Sequence, residues 1–271
     1  MTLLTPNDIN RAQTAQTQFA VSLGWDTWRA WVVANLVAES LGLGATLLVG
    51  VLLFGGLEPR IGIVPVALLG IALGALCEGS IVGGLQWLVI RHPIPEMRWR
   101  EWATATAVGA GIAWALGMIP STVMSFAPQQ PPVGDDHNVA LAEWAILLLA
   151  AAMGAVLGAV LGGAQWVPLR RYVPRASWWV AANAIAWATG MLLVFVGTGF
   201  IPDSGTVTGG VIAAIIVCVA LAGGAVGAIH GLALIGLLRE RDRALLARRM
   251  KSVENTHATV GGSRELEPRI L

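Results

Sequence analysis

Long apolar stretches alternate with short polar connections along this chain, and small residues recur inside the stretches at fixed steps. Six stretches reach the ~20 residues an α-helix needs to cross a hydrocarbon core: 31–53, 64–90, 102–124, 141–167, 179–201 and 211–238. The even-numbered stretches each carry a ladder: Ala75-Gly79-Gly83 leading to Arg91, Gly154-Gly158-Gly162 to Arg170, and Gly223-Gly227-Gly231 to Arg239. The steps are four, four and eight residues every time. Small residues four apart form one stripe of a helix, and in lipid such a stripe lets backbones approach closely where hydrophobic force between helices is lacking. The pattern predicts an all-α bundle of six transmembrane helices, with the glycine stripes turned toward neighbouring helices.

The ladder belongs to a larger unit. Trp31-Val-Val-Ala-Asn35 matches Trp179-Val-Ala-Ala-Asn183, and 179 − 31 = 148; the pairs Gly79/Gly227, Gly83/Gly231 and Arg91/Arg239 are also 148 apart. Between them, Trp102-Ala-Thr-Ala-Thr106 stands in for the Trp-to-Asn segment, and Gly83-Gly84-Leu85-Gln86-Trp87 is echoed by Gly162-Gly163-Ala164-Gln165-Trp166. In this register Leu234 and Ile235 replace Gln-Trp in the third unit, Trp187 stands opposite Glu39, and Val226 opposite Glu78. Three hairpins in one orientation result. The chain divides into a polar, interfacial segment 1–30, hairpins 31–101, 102–178 and 179–239, and a basic tail 240–271. In that tail, 239–251 should continue the last helix and 252–271 form a flexible end.

Arginines set the expected orientation. Arg91, Arg98 and Arg100, then Arg170, Arg171 and Arg175, then Arg239, Arg241, Arg243, Arg248 and Arg249 all fall on one side, whereas the opposite loops hold Arg60 alone among basic residues. Basic short loops stay cytoplasmic, which places both termini there. Trp25, Trp28, Trp31, Trp87, Trp99, Trp102, Trp166, Trp178 and Trp179 all lie at the inner ends, where indole rings anchor in the headgroup layer. Thr5-Pro6-Asn7-Asp8 reads as a helix start. Ile9, Ala12, Phe19, Ala20 and Leu23 then make either a weakly amphipathic interfacial helix or a disordered leader, with no signal peptide.

Composition agrees: of 271 residues 56% are hydrophobic and 12% charged, where soluble domains carry about 25% charged residues. The expected home is the bacterial inner membrane. The net charge of +1 leaves no nucleic-acid footprint, and the two cysteines, Cys77 and Cys218, imply no disulfide framework. The expected partners are the lipid bilayer and a membrane-protein partner or a second copy of the chain.

The Gly-Gly-x-Gln-Trp pattern followed by an arginine, then Trp and Ala-Asn in the next span, resembles uncharacterised bacterial multi-pass membrane proteins built from repeated hairpins. The resemblance covers nearly all of the chain except its ends. It implies a fold and carries no activity.

Chemistry-bearing residues inside the stretches are few. Counting ~1.5 Å per residue, Glu39 lies about 15 Å from Arg29, Glu78 about 20 Å from Arg91 and His230 about 14 Å from Arg239, all near mid-membrane. Ionisable groups at that depth face a bundle interior or a cavity, so these three make a candidate polar site, for proton or cation passage or as interhelical glue. Asn35, Thr106, Asn183, Gln86 and Gln165 are expected to form interhelical hydrogen bonds, and the ladder glycines Gly79, Gly83, Gly154, Gly158, Gly162, Gly223, Gly227 and Gly231 to pack helices. His230 is the single histidine inside a stretch, so a haem- or chlorophyll-type ring could be held only five-coordinate, with Gly223, Gly227 and Gly231 leaving it room. No cofactor or metal is otherwise expected, and Asp135, Asp136 and His137 read as a solvated turn. The chain holds no Gly-x-Ser-x-Gly elbow, no His-Glu-x-x-His and no P-loop, and nothing in the sequence joins Ser80 to His230. The leading expectation is a non-enzymatic structural or assembly subunit. A proton- or cation-coupled transporter or channel comes second, and a pigment-binding subunit of an electron-transfer or light-harvesting complex third.

Overall fold

In the computed structural model, residues 6–52, 57–126, 143–198 and 208–263 are described, and these form helices joined by short turns, with no strand among them. The helices are α1 (Pro6–Leu52), α2 (Glu58–Ile61), α3 (Ile63–Leu73), α4 (Gly79–Ile90), α5 (Trp99–Ser125), α6 (Glu143–Leu169), α7 (Trp178–Thr198) and α8 (Gly209–Ser263). A π-turn, Gly74–Glu78, joins α3 to α4 without a break.

Among the described residues, four helical stretches are long and apolar enough to cross a membrane: Ile63–Ile90, Trp144–Leu169, Trp178–Gly197 and Gly209–Ser252. The other two expected stretches are helical as well, and they carry more polar side chains than those four. Asn35, Glu39, Ser40 and Thr46 fall on α1, and Thr104 and Thr106 on α5. Each of the long helices packs on the next, from α1 to α4, α5, α6, α7 and α8, and α8 returns to α1, so the six close into a ring.

Both ends of the chain extend the helices further than their composition suggests. α1 begins at Pro6 and runs unbroken into the first apolar stretch. α8 continues to Ser263, past Lys251, where a flexible end was expected. The turns that return the chain on the arginine-rich side are compact. Ile94 and Met97 from one, and Val173 and Ala176 from the other, pack into the main core with Ile90, Leu169, Leu234 and Leu237. Arg175, at φ 53°, takes the left-handed conformation that lets the second turn close in few residues.

Three ion pairs tie these turns to their surroundings. Arg241 forms a bidentate pair with Glu96 and donates to the Pro93 carbonyl; Arg175 meets Glu240 at 3.4 Å, and Arg171 meets Glu101 at 3.6 Å. Tyr172 donates to Glu101 at 2.9 Å, and desolvation, with that carboxylate beside it, raises its phenol above the usual value.

Candidate functional site

The inner core is built around three tryptophans, one from each odd-numbered apolar stretch. Trp31 on α1, Trp102 on α5 and Trp179 on α7 are each 0% exposed, and their ring centroids stand 5.9 to 6.4 Å apart in tilted or edge-to-face contact. Such arrangements suit the aromatic quadrupole. A headgroup-level role was expected for these rings. They lie instead in the protein core, while Trp25, Trp99 and Trp178 are exposed in the manner of interfacial anchors.

Each buried indole N–H needs an acceptor, and each finds it on the helix that precedes its own around the ring. Trp102 Nε1 donates to Gln86 Oε1 at 3.2 Å, Trp179 Nε1 to Gln165 Oε1 at 2.9 Å, and Trp31 Nε1 to His230 Nδ1 at 2.8 Å. The third bond runs from the last long helix back to the first and closes the cycle. An Nδ1 that accepts is unprotonated, so His230 is the neutral tautomer carrying its proton on Nε2. Its ring lies 5.6 Å from Trp31 and 5.3 Å from Trp179.

The amides link the layer further. Gln165 Nε2 donates to Gln86 Oε1 and Thr106 Oγ1, both at 3.0 Å, and Gln86 Nε2 donates to Asn35 Oδ1 at 2.8 Å. Asn35, Thr106 and Asn183 each donate to the carbonyl four residues back, on Trp31, Trp102 and Trp179. Asn35 and Thr106 thus join helices as acceptors. The bond that Asn183 donates stays within its own helix, where an interhelical one was expected.

These contacts reset the register of the third hairpin. A Cβ on Gly83 would stand 2.9 Å from Ala103 Cα and 3.1 Å from Thr106 Cβ; on Gly162, 2.8 Å from Asn183 Cβ and 3.1 Å from Val180 Cα; on Gly227, 2.8 Å from Asn35 Cβ and 3.1 Å from Val32 Cα. Gly227, not Gly231, therefore occupies the place of Gly83, and 227 − 83 = 144, one helical turn short of 148. The acceptors keep the same spacing: Gly83 to Gln86, Gly162 to Gln165 and Gly227 to His230 are all three residues apart. His230 is thus the counterpart of the two glutamines. Ala222, not Val226, is the counterpart of Glu78. A ladder that repeats every four residues looks the same after a four-residue slip, so it cannot report its own register.

The remaining ladder glycines also face the neighbouring helix closely. Gly79 lies against Ala107 of α5, Gly154 and Gly158 against the Trp187 and Asn183 carbonyls of α7, and Gly223 against Glu39 and the Asn35 carbonyl of α1. Gly231 receives Trp28 and Trp31. Side chains of α1 therefore fill the room beside Gly223, Gly227 and Gly231, and a macrocycle flat on that stripe would have to displace them.

The three ionisable residues expected near mid-membrane separate into two levels. His230 belongs to the tryptophan layer. Glu39 stands eight residues beyond Trp31 on α1, about 12 Å along the axis, with Glu78 near it. Glu78 Oε2 accepts from Trp114 Nε1 at 2.8 Å, and Glu39 Oε2 is buried with no partner among the described residues. Among those residues, no hydrogen bond joins either glutamate to His230. Ser80 is exposed whereas His230 is buried, so these two form no pair. Asp135, Asp136 and His137 lie outside the described residues.

Sequence reasoning had not picked out Trp114 or the π-turn. Gly74 and Gly79 are five residues apart where Gly154 and Gly158 are four, and the extra residue is taken up in the π-turn. A Cβ on Gly74 would fall 2.3 Å from Trp114 Cδ1, so this glycine makes room for the indole that reaches Glu78. One signal was available: Gly74 just before Ala75 offered a second way to start the ladder. Among protein-family models, curated proteins and solved structures, none matches this chain.

Proposed function

We propose that the chain is a non-enzymatic integral protein of the bacterial cytoplasmic membrane, a structural or assembly subunit of six spanning helices in three pseudo-repeated hairpins with both termini cytoplasmic. The observation that carries this reading is the filled axis. Three fully buried indoles, two glutamines and a histidine occupy the centre with their hydrogen bonds directed at one another, and Ile90, Ile94, Met97, Leu169, Val173 and Leu234 pack the same cluster on the arginine-rich side. A packed, mutually satisfied centre holds helices in place. The ladder glycines are spent inside the chain, so a partner span would meet outward glycines such as Gly84 and Gly163, whose Cβ positions have nothing within 4 Å.

Extraction in a mild detergent, followed by native mass spectrometry, tests the reading. A stable homo-oligomer or a stoichiometric membrane partner is expected. Recovery of a lone monomer from native membranes would count against assembly. A second reading, a proton- or cation-coupled transporter, draws on the unpaired oxygen of Glu39. Ion flux into reconstituted vesicles that Glu78→Gln abolishes would replace the structural reading with that one.

A further inference from the structure

The tryptophan layer leaves one set of polar groups unused. Glu39 is 3% exposed and Glu78 8%, on different elements that touch. A Cβ on Gly42, one turn beyond Glu39 on α1, would stand 3.1 Å from Glu78 Cγ and 3.2 Å from its Cα. On the other side, a Cβ on Gly223 would stand 2.8 Å from Glu39 Cβ, so α8 pins the root of that side chain. Gly42 and Glu39 are three residues apart on α1, so the Glu78 side chain packs against α1 within one turn of Glu39.

The hydrogen-bond inventory is unequal. Trp114 supplies one donor to Glu78, and Glu39 Oε2 is buried without any. A buried polar atom left unpaired costs about 1–3 kcal/mol, and two like charges buried side by side cost more. A single proton on the pair addresses both. It removes one charge and turns an acceptor-only group into an O–H donor. The residues around the pair offer no competing counter-charge among those described. Of the other titratable groups on the packed elements, Cys77 points outward from the π-turn, Cys218 of α8 lies against Gly197 of α7, and His230 accepts from Trp31 two turns away. From α5 the pair meets Trp114, which does not titrate.

We propose that Glu39 and Glu78 form an intramembrane binding site for one exchangeable proton held by the two carboxyl groups together, with Trp114 Nε1 fixing Glu78 as the acceptor. The site holds its proton whether the chain is a scaffold or a transporter, so its test is separate from partner recovery and from flux. The π-turn contributes geometry: an added residue rotates the rest of the helix by about 100°, and here it accompanies the seating of Trp114 over Gly74 and the placing of Glu78 beside α1.

Dicyclohexylcarbodiimide adds to protonated carboxyl groups in apolar surroundings, and peptide mass mapping locates the adduct. With the full chain in phosphatidylcholine vesicles at neutral pH, the adduct is expected on Glu39 or Glu78 and absent from Glu58 and Glu101. Labelling should fall about tenfold per pH unit once the pair loses its proton. Infrared spectra of the unmodified wild type should show a protonated-carboxyl band that moves in deuterated water, and E78Q should shift or remove it. If E78Q does not fold, E39Q and the wild-type deuterium shift still decide. Absence of both adduct and band overturns the proposal. Protection by sodium chloride at constant pH overturns it in favour of an alkali-cation site, and equal labelling of Glu58 and Glu101 overturns it as non-selective reaction.

Discussion

The inner tryptophan layer and the carboxyl layer beyond it solve the same problem, polar groups buried in an apolar bundle, in opposite ways. In the inner layer every indole N–H has an acceptor, and one contact scheme is used three times around the ring. In the carboxyl layer the polar groups come from the first hairpin, with an indole from the second. Their counterparts elsewhere are apolar: Trp187 and Ala110 correspond to Glu39, and Leu157 and Ala222 to Glu78. One oxygen there remains unpaired. Repetition suits a structural element, because three copies of a bond hold three pairs of helices. A feature present once serves no such symmetry and is where a specific task belongs.

The comparison is broken most forcefully at Trp102. Trp102→Ala removes a fully buried ring that touches both other indoles, and about 3–5 kcal/mol of stability should go with it, read as a lowered thermal midpoint in detergent. Somewhat less severe is Gly158→Leu, whose Cβ would stand 2.3 Å from the Asn183 carbonyl oxygen. A loss of about 3 kcal/mol by denaturant titration is expected as α6 and α7 are forced apart, while Gly117→Leu, facing open space, should unfold like wild type.

His230 sharpens the comparison by chemistry. If it is the third member of a Gln, Gln, His set, His230→Leu strands the Trp31 N–H and costs about 1–2 kcal/mol, whereas His230→Gln retains an acceptor and costs less than half of that. Equal losses for the two variants would mean that the imidazole has a role the glutamines do not share. The smallest effect separates the two asparagines. Asn35→Ala also deprives Gln86 of an acceptor and should cost about 1 kcal/mol, while Asn183→Ala, which loses a bond within its own helix, should cost under about 0.5 kcal/mol, both read from the same unfolding curves.

Much of the layer was legible from particular residues. Asn35, Gln86, Thr106, Gln165 and Asn183 stood out because they recur, and all five lie in or beside the aromatic core. Trp31, Trp102 and Trp179 recur as well, yet an indole at the end of an apolar stretch has the same composition signature whether it faces headgroups or the bundle axis. Neighbouring Trp178 and Trp179 make the point, since one is 65% exposed and the other 0%. Their separation of about 100° around the helix decides the matter, and only the position of the axis says which way each points. Trp114 was illegible for a related reason: its partner Glu78 is 36 residues away, and the π-turn that aligns them depends on packing against α5.

The amino-acid sequence by itself determined the helical class, the stretches apolar enough for a membrane and the small-residue stripes, because these arise from local composition and a fixed helical period. The tertiary structure decided the register of the third hairpin, since a four-residue ladder matches itself after each turn and only contacts such as those of Gly227 with α1 and the bond from Trp31 to His230 distinguish one turn from the next. It also decided that His230 and the two glutamates occupy separate levels. Depth along a helix can be counted from the sequence, but the direction a side chain faces is set by which neighbour fills the space beside it.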